Sequence, residues 1–179
     1  MIYPGLNVTN VVLVICLAVF LRILFSQDKT ETAISCGAYD RARIAQGQWW
    51  RLFTVGFVHI QVWHFIMNMY SLTVFASLER VIGPIWFAII LFVSIFGGSI
   101  VQYNLSDARL AVGLSGGLYG LMTSYLLLIL LYGSVNPRSL IYMIVVNLLI
   151  NLSPNVAWQA HLGGAVTGLA LTIIFLVVR

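Results

Sequence analysis

Residues 113–132 read GLSGGLYGLMTSYLLLILLY, a run without a single charge. As a helix rising about 1.5 Å per residue, the run matches the roughly 30 Å thickness of a bilayer's hydrocarbon core. Its two halves differ. The back half is almost all leucine and aromatic. The front carries a hydroxyl at Ser115 among Gly113, Gly116, Gly117 and Gly120. The run therefore predicts a membrane-spanning helix from about Ser115 to Tyr132 whose leading end is small and polar, and Gly133 and Asn136-Pro137 break the chain after it.

Outward from this span the same grammar repeats. Apolar stretches at about Val8 to Phe25, Val62 to Leu78, Ile85 to Tyr103, Leu140 to Leu152 and Trp158 to Val178 make six spans in all. Arg22 near the end of the first is placed to snorkel toward the interface. Glu79-Arg80 and Gly83-Pro84 are read as closing the second, and Ser153-Pro154-Asn155 separates the last two. The longest polar stretch, roughly Ser26 to Phe57, holds Trp49, Trp50 and Arg51, a combination suited to the headgroup region. No repeat, low-complexity tract or strand-like alternation is visible.

Composition agrees. Of 179 residues, 61% are hydrophobic and 8% charged, and the mean hydropathy is +1.00. Soluble domains carry about 25% charged residues, so the expected fold class is an all-α membrane protein, a six-transmembrane-helix bundle forming one domain over residues 1–179. The net charge of +4 is scattered and leaves no nucleic-acid footprint. Cys16 and Cys36 suggest neither a disulfide framework nor a zinc site. The first stretch lacks a basic leader and a small-residue cleavage site, so it reads as a retained span.

Polar groups inside a bilayer are costly and ask for a reason. With six spans, the second, fourth and sixth run in the same direction, which brings their first turns to one depth. Those turns hold His64 and Asn68, Ser115, and His161. A serine opening a helix sits beside unpaired backbone amides and the positive end of the dipole, which suit an oxyanion. Gly113-Leu114-Ser115-Gly116-Gly117 matches G-x-S-x-G literally, but the hydrolase elbow demands a preceding strand and a downstream acid, and neither is present. His161, Gly164 and Gly168 share a helical face, and small residues at that spacing let membrane helices approach closely. Such packing of the sixth span on the fourth is the geometry that brings an imidazole to Ser115, with Tyr119 one turn below placed to stack on the ring. Glu79 is at the far end of its span and Asp107 is in a loop, so the expectation is a Ser115–His161 dyad without an acid.

Blander readings stand beside these. His161 alone reads as a buried histidine bonded to a backbone carbonyl. Asn68 reads either as a bond between helices, worth about 0.6 kcal/mol, or as an oxyanion donor whose loss costs about 2.7–4 kcal/mol of transition-state stabilisation. His64 donates to the same oxygen or positions a water. His59 reads as a loop or interface residue. Without H-E-x-x-H and with remote acids, no metal and no cofactor is expected.

Taken together, Trp50-Arg51, H-x-x-x-N at His64 and Asn68, G-x-S-G at Gly113 to Gly116, and H-x-x-G-x-x-x-G from His161 to Gly168 resemble the rhomboid intramembrane serine protease family, most closely the six-helix bacterial GlpG type. The resemblance implies a serine endopeptidase that cuts transmembrane segments of membrane-protein substrates in the lipid bilayer. It implies Ser115 and His161 as the dyad, Tyr119 packing on the imidazole, and an oxyanion site from the Ser115 backbone, Asn68 and His64. It further implies a long, partly membrane-embedded first loop tied down by Trp50 and Arg51, and a polar pair at Glu79-Arg80. The implied location is a bacterial inner (cytoplasmic) membrane, multi-pass, with the site opening toward the periplasm.

The charges argue against that sidedness. Lys29, Arg41, Arg43, Arg51 and Arg109 share the face of the long loop, against Arg80, Arg138 and Arg179 opposite, and the positive-inside rule places the richer face in the cytoplasm. The family's placement is preferred because a folded loop can pair its charges with Asp28, Glu31 and Asp40. Two rivals remain: a non-catalytic rhomboid-like protein that binds transmembrane helices, and a small transporter, whose through-pathway would require polar residues at several depths.

Overall fold

The computed structural model describes residues 7–133, 141, 142, 145 and 156–178. The chain is mostly helical in this order: α1 (Val8–Leu24), α2 (Lys29–Ser35), β1 (Tyr39–Asp40), α3 (Arg41–Ala45), α4 (Arg51–Thr54), a 3-10 turn (Val55–Phe57), α5 (Val62–Ile82), α6 (Pro84–Leu105), β2 (Leu110–Ala111), α7 (Ser115–Tyr132) and α8 (Trp158–Val178). Helices α6, α7 and α8 are each long and apolar enough to cross a membrane. Helix α5 meets that standard together with residues Arg51–Phe57, from which it turns by 92°. Helix α1 is apolar but only 17 residues long. The fifth expected span, about residues 140–152, falls almost wholly outside the described residues.

Helix ends follow from local chemistry. Asn7, Asp28 and Asp40 cap α1, α2 and α3 by accepting backbone N–H bonds. Helix α5 does not close at Glu79-Arg80 but runs on to Ile82, because both are good helix formers. It ends at Gly83, whose φ of +83° suits glycine, and Pro84 opens α6 at once.

Glu79 is buried and acts at a distance. Its carboxylate accepts the Val8 N–H at 2.6 Å, the Thr9 N–H at 3.0 Å and the Thr9 hydroxyl at 2.6 Å. A negative group at the start of α1 satisfies orphan donors and complements the helix dipole. Arg80 beside it is exposed.

The helices invert the soluble pattern. On α8 the buried side holds His161, Gly163, Gly164, Gly168 and Thr172, while Trp158, Leu162, Val166, Leu169, Ile173 and Val177 face outward. Large apolar residues outside and small ones inside are what lipid as solvent selects. The main apolar core joins α1, α5, α6, α7 and α8 through residues such as Val12, Leu72, Phe75, Phe87, Leu91, Leu121 and Phe175.

The stretch from α2 to the 3-10 turn is folded. Arg51 is buried and donates from Nη1 to the Ile34 and Ala38 carbonyls at 2.7 and 2.9 Å, and from Nε to Gln48 at 2.8 Å. Trp50 and Trp49 beside it are exposed. A two-residue antiparallel ladder pairs Tyr39 with Ala111 and Asp40 with Leu110, too short to leave an alternating pattern in the sequence.

Candidate active site

Ser115 is the first residue of α7, and His161 lies in the first turn of α8. Their approach depends on missing side chains. A Cβ at Gly164 would collide with the Gly116 carbonyl, and one at Gly168 with the Gly120 backbone. The two helices therefore touch backbone to backbone, and hydroxyls lock the seam. Thr172 donates to Ser124 Oγ at 2.6 Å, and Thr123 donates to the Ala165 carbonyl at 2.9 Å. At the top of this seam His161 Nε2 lies 2.8 Å from Ser115 Oγ. The imidazole is buried and stacks on Tyr119, with ring centroids 4.3 Å apart and planes inclined by 11°.

A third helix closes the site. Gly113 has a φ of +121°, and a Cβ there would stand 2.5 Å from His64 Cε1, so the His64 ring rests on the Gly113 backbone. Asn68 is buried one turn further along α5, and its Nδ2 donates to the His64 carbonyl at 2.8 Å. Its Oδ1 has no partner among the described residues. The structure brings His64, Gly113, Ser115, Tyr119 and His161 together, while the Asn68 amide is engaged with its own helix. Trp50, Arg51, Glu79 and Arg80 belong to other parts of the molecule.

Three contributors escaped the sequence reading. His59 does lie in the loop between the 3-10 turn and α5, but it is fully buried, its Nε2 lies 3.4 Å from the Leu114 nitrogen, and its ring stands edge-on to His64. The available signal was a lone imidazole ending the apolar run Val55 to Val58. Tyr39 and Gln102 line, with Ser115 and Gly116, a cavity of about 30 Å³ beside the serine. The Tyr39 hydroxyl and Gln102 Oε1 are buried there without a partner among the described residues. Nothing local in the sequence ties Tyr39 to that place, because the β1–β2 ladder carries it there.

Similarity to known proteins gives the family. Residues 46–178 match the Rhomboid domain family. The chain is 34% identical over 160 residues to RHOMBOID-like protein 6, mitochondrial, of Arabidopsis thaliana, covering 85% of this chain and 52% of that protein. It is 31% identical over 171 residues to Rhomboid protease GluP of Bacillus subtilis, covering 92% of this chain and 34% of that protein. It is 30% identical over 138 residues to Putative rhomboid protease YdcA of the same organism, covering 73% and 69%. The chain spans about half, or less, of the length of the first two. A family match across most of the chain, on a helical fold whose glycine seam joins a serine to a histidine, identifies the chain as a member of the rhomboid family.

Proposed function

We propose that this chain is an intramembrane serine endopeptidase that cleaves transmembrane segments of membrane-protein substrates, with Ser115 as nucleophile and His161 as general base. The observation that carries this reading is the 2.8 Å contact between His161 Nε2 and Ser115 Oγ. In the first step His161 takes the Ser115 proton as the oxygen attacks the scissile carbonyl, and returns it to the leaving amine. In the second step water, deprotonated by the same ring, releases the acyl group. Tyr119 holds the imidazole plane in place of an acid.

The oxyanion is assigned to the Ser115 N–H, which lies at the start of α7 and so has no intrahelical acceptor, with the His64 ring beside it. Asn68 joins as a donor through the second hydrogen of its amide or after releasing the His64 carbonyl. The small cavity with its buried hydroxyl and amide oxygen suits a water near the serine. The reading includes residues 1–179 as one six-span unit in a bacterial cytoplasmic membrane, with the site toward the outer side. It involves no metal and no cofactor. The protease-named relatives from Bacillus subtilis support the activity.

The test is cleavage of a single-span reporter by the purified protein, beside Ser115→Ala and His161→Ala. Both variants should lose cleavage while unfolding at the wild-type temperature, and a fluorophosphonate should label wild type but not Ser115→Ala. Turnover surviving in either variant overturns the dyad. Sidedness has a built-in reporter, since Cys16 is fully buried and Cys36 partly exposed in the first loop. A membrane-impermeant maleimide should modify Cys36 in intact spheroplasts, and modification only after permeabilisation puts that loop in the cytoplasm.

A further inference from the structure

The residues just before Ser115 are held by groups outside the α7–α8 seam. Gly113 donates its N–H to the Val55 carbonyl at 3.1 Å. Leu114 donates its N–H to His59 Nε2 at 3.4 Å. The His64 ring lies against Gly113. His59 and Leu114 are both fully buried, so the Leu114 N–H depends on a protein acceptor, and the imidazole supplies it. The His59 ring is itself fixed, edge-on to His64 at 5.3 Å and to Phe65 at 5.6 Å between centroids. The bond is long, so its effect is orientation more than energy.

We infer that His59 is a positioning residue, which accepts the Leu114 N–H at Nε2 and thereby sets where the Ser115 hydroxyl stands relative to His161. The seam fixes α7 against α8, but the angle at which the chain enters α7 is set by residues 113 and 114. For Nε2 to accept, the ring must be neutral with its proton on Nδ1. An acceptor of the same reach, such as the amide oxygen of glutamine, should substitute, and an isosteric apolar ring should not. The inference rests on the protease reading for its consequence, though the anchoring can be observed without it.

The experiment compares wild type, His59→Phe and His59→Gln as full chains in detergent. The first readout is deuterium uptake by the peptide covering residues 112–116. It should quicken about tenfold or more in His59→Phe, with α6 peptides unchanged, and stay near wild type in His59→Gln. The second is fluorophosphonate labelling of Ser115 and reporter cleavage. Labelling and kcat should fall by about tenfold to a hundredfold in His59→Phe with KM within about twofold, because misplacing a reacting atom acts on the chemical step. His59→Gln should recover most of that loss. Equal rates and equal exchange in the two variants, both normal or both impaired, overturn the inference and make His59 a packing residue. A wild-type protein that neither labels nor cleaves sinks the protease reading instead, and the exchange comparison then decides the anchoring by itself.

Discussion

The α7–α8 seam and the first loop both solve the problem of buried backbone, and they do so in opposite ways. In the seam, backbone meets backbone because Gly116, Gly120, Gly164 and Gly168 remove everything between. In the loop, backbone meets long cationic side chains. Arg51 Nη1 reaches the Ile34 and Ala38 carbonyls, and Arg41 Nη1 reaches those of Tyr103 and Ser106 at 2.6 and 2.8 Å. Lipid gives helices no hydrophobic reason to associate, so the seam relies on closeness. Helix ends and the turns after them have carbonyls left over, so this region relies on donors. The seam therefore tolerates no added atom, and the loop no lost charge.

The sharpest way to break that comparison is to add a side chain to the seam. Gly164→Val should destabilise the protein by about 3 kcal/mol or more and abolish cleavage, since two backbones must separate to admit it. Thermal unfolding in detergent checks this, and a wild-type transition would mean that the helices are not in contact there. Next comes the loop. Arg51→Ala strands the buried Ala38 carbonyl, leaves the Ile34 carbonyl with only its backbone donor from Gly37, and should cost about 2–4 kcal/mol, whereas Trp50→Ala beside it, at an exposed position, should stay within about 0.5 kcal/mol. Equal losses from the two would show that the aromatic ties the loop as firmly as the cation. The smallest effect belongs to a hydroxyl in the seam. Thr172→Val removes the bond to Ser124 Oγ and should cost only about 0.6 kcal/mol. A loss near that of Gly164→Val would mean that hydrogen bonds rather than closeness hold the seam.

Much of the site was legible in the chain because helices make spacing into geometry. His161, Gly164 and Gly168 fall on one face by arithmetic, and a serine followed by two glycines at the head of an apolar run marks a helix end that another backbone can approach. Glu79 was legible as an oddity but not as a cap for α1, since its partners lie about 70 residues away. Asn68 was placed on the correct helix, yet whether its amide faces the serine or its own helix depends on a rotamer that spacing does not specify. His59 reads as a loop or interface residue and does lie in a connector, but its burial was not legible, because a short connector carries no periodicity and burial there is decided by what folds over it.

Sequence alone determined the solvent and the faces of the long helices: apolar runs of bilayer length, small residues at fourfold spacing, and His64 and His161 in first turns. Only tertiary structure decided which small residues actually meet, that the β1–β2 ladder brings Tyr39 to the serine, and that His59 turns inward to Leu114. The physical reason is range. Helical periodicity is a local property written in neighbouring residues, whereas contacts between segments tens of residues apart exist only once the packed backbone has chosen their distance.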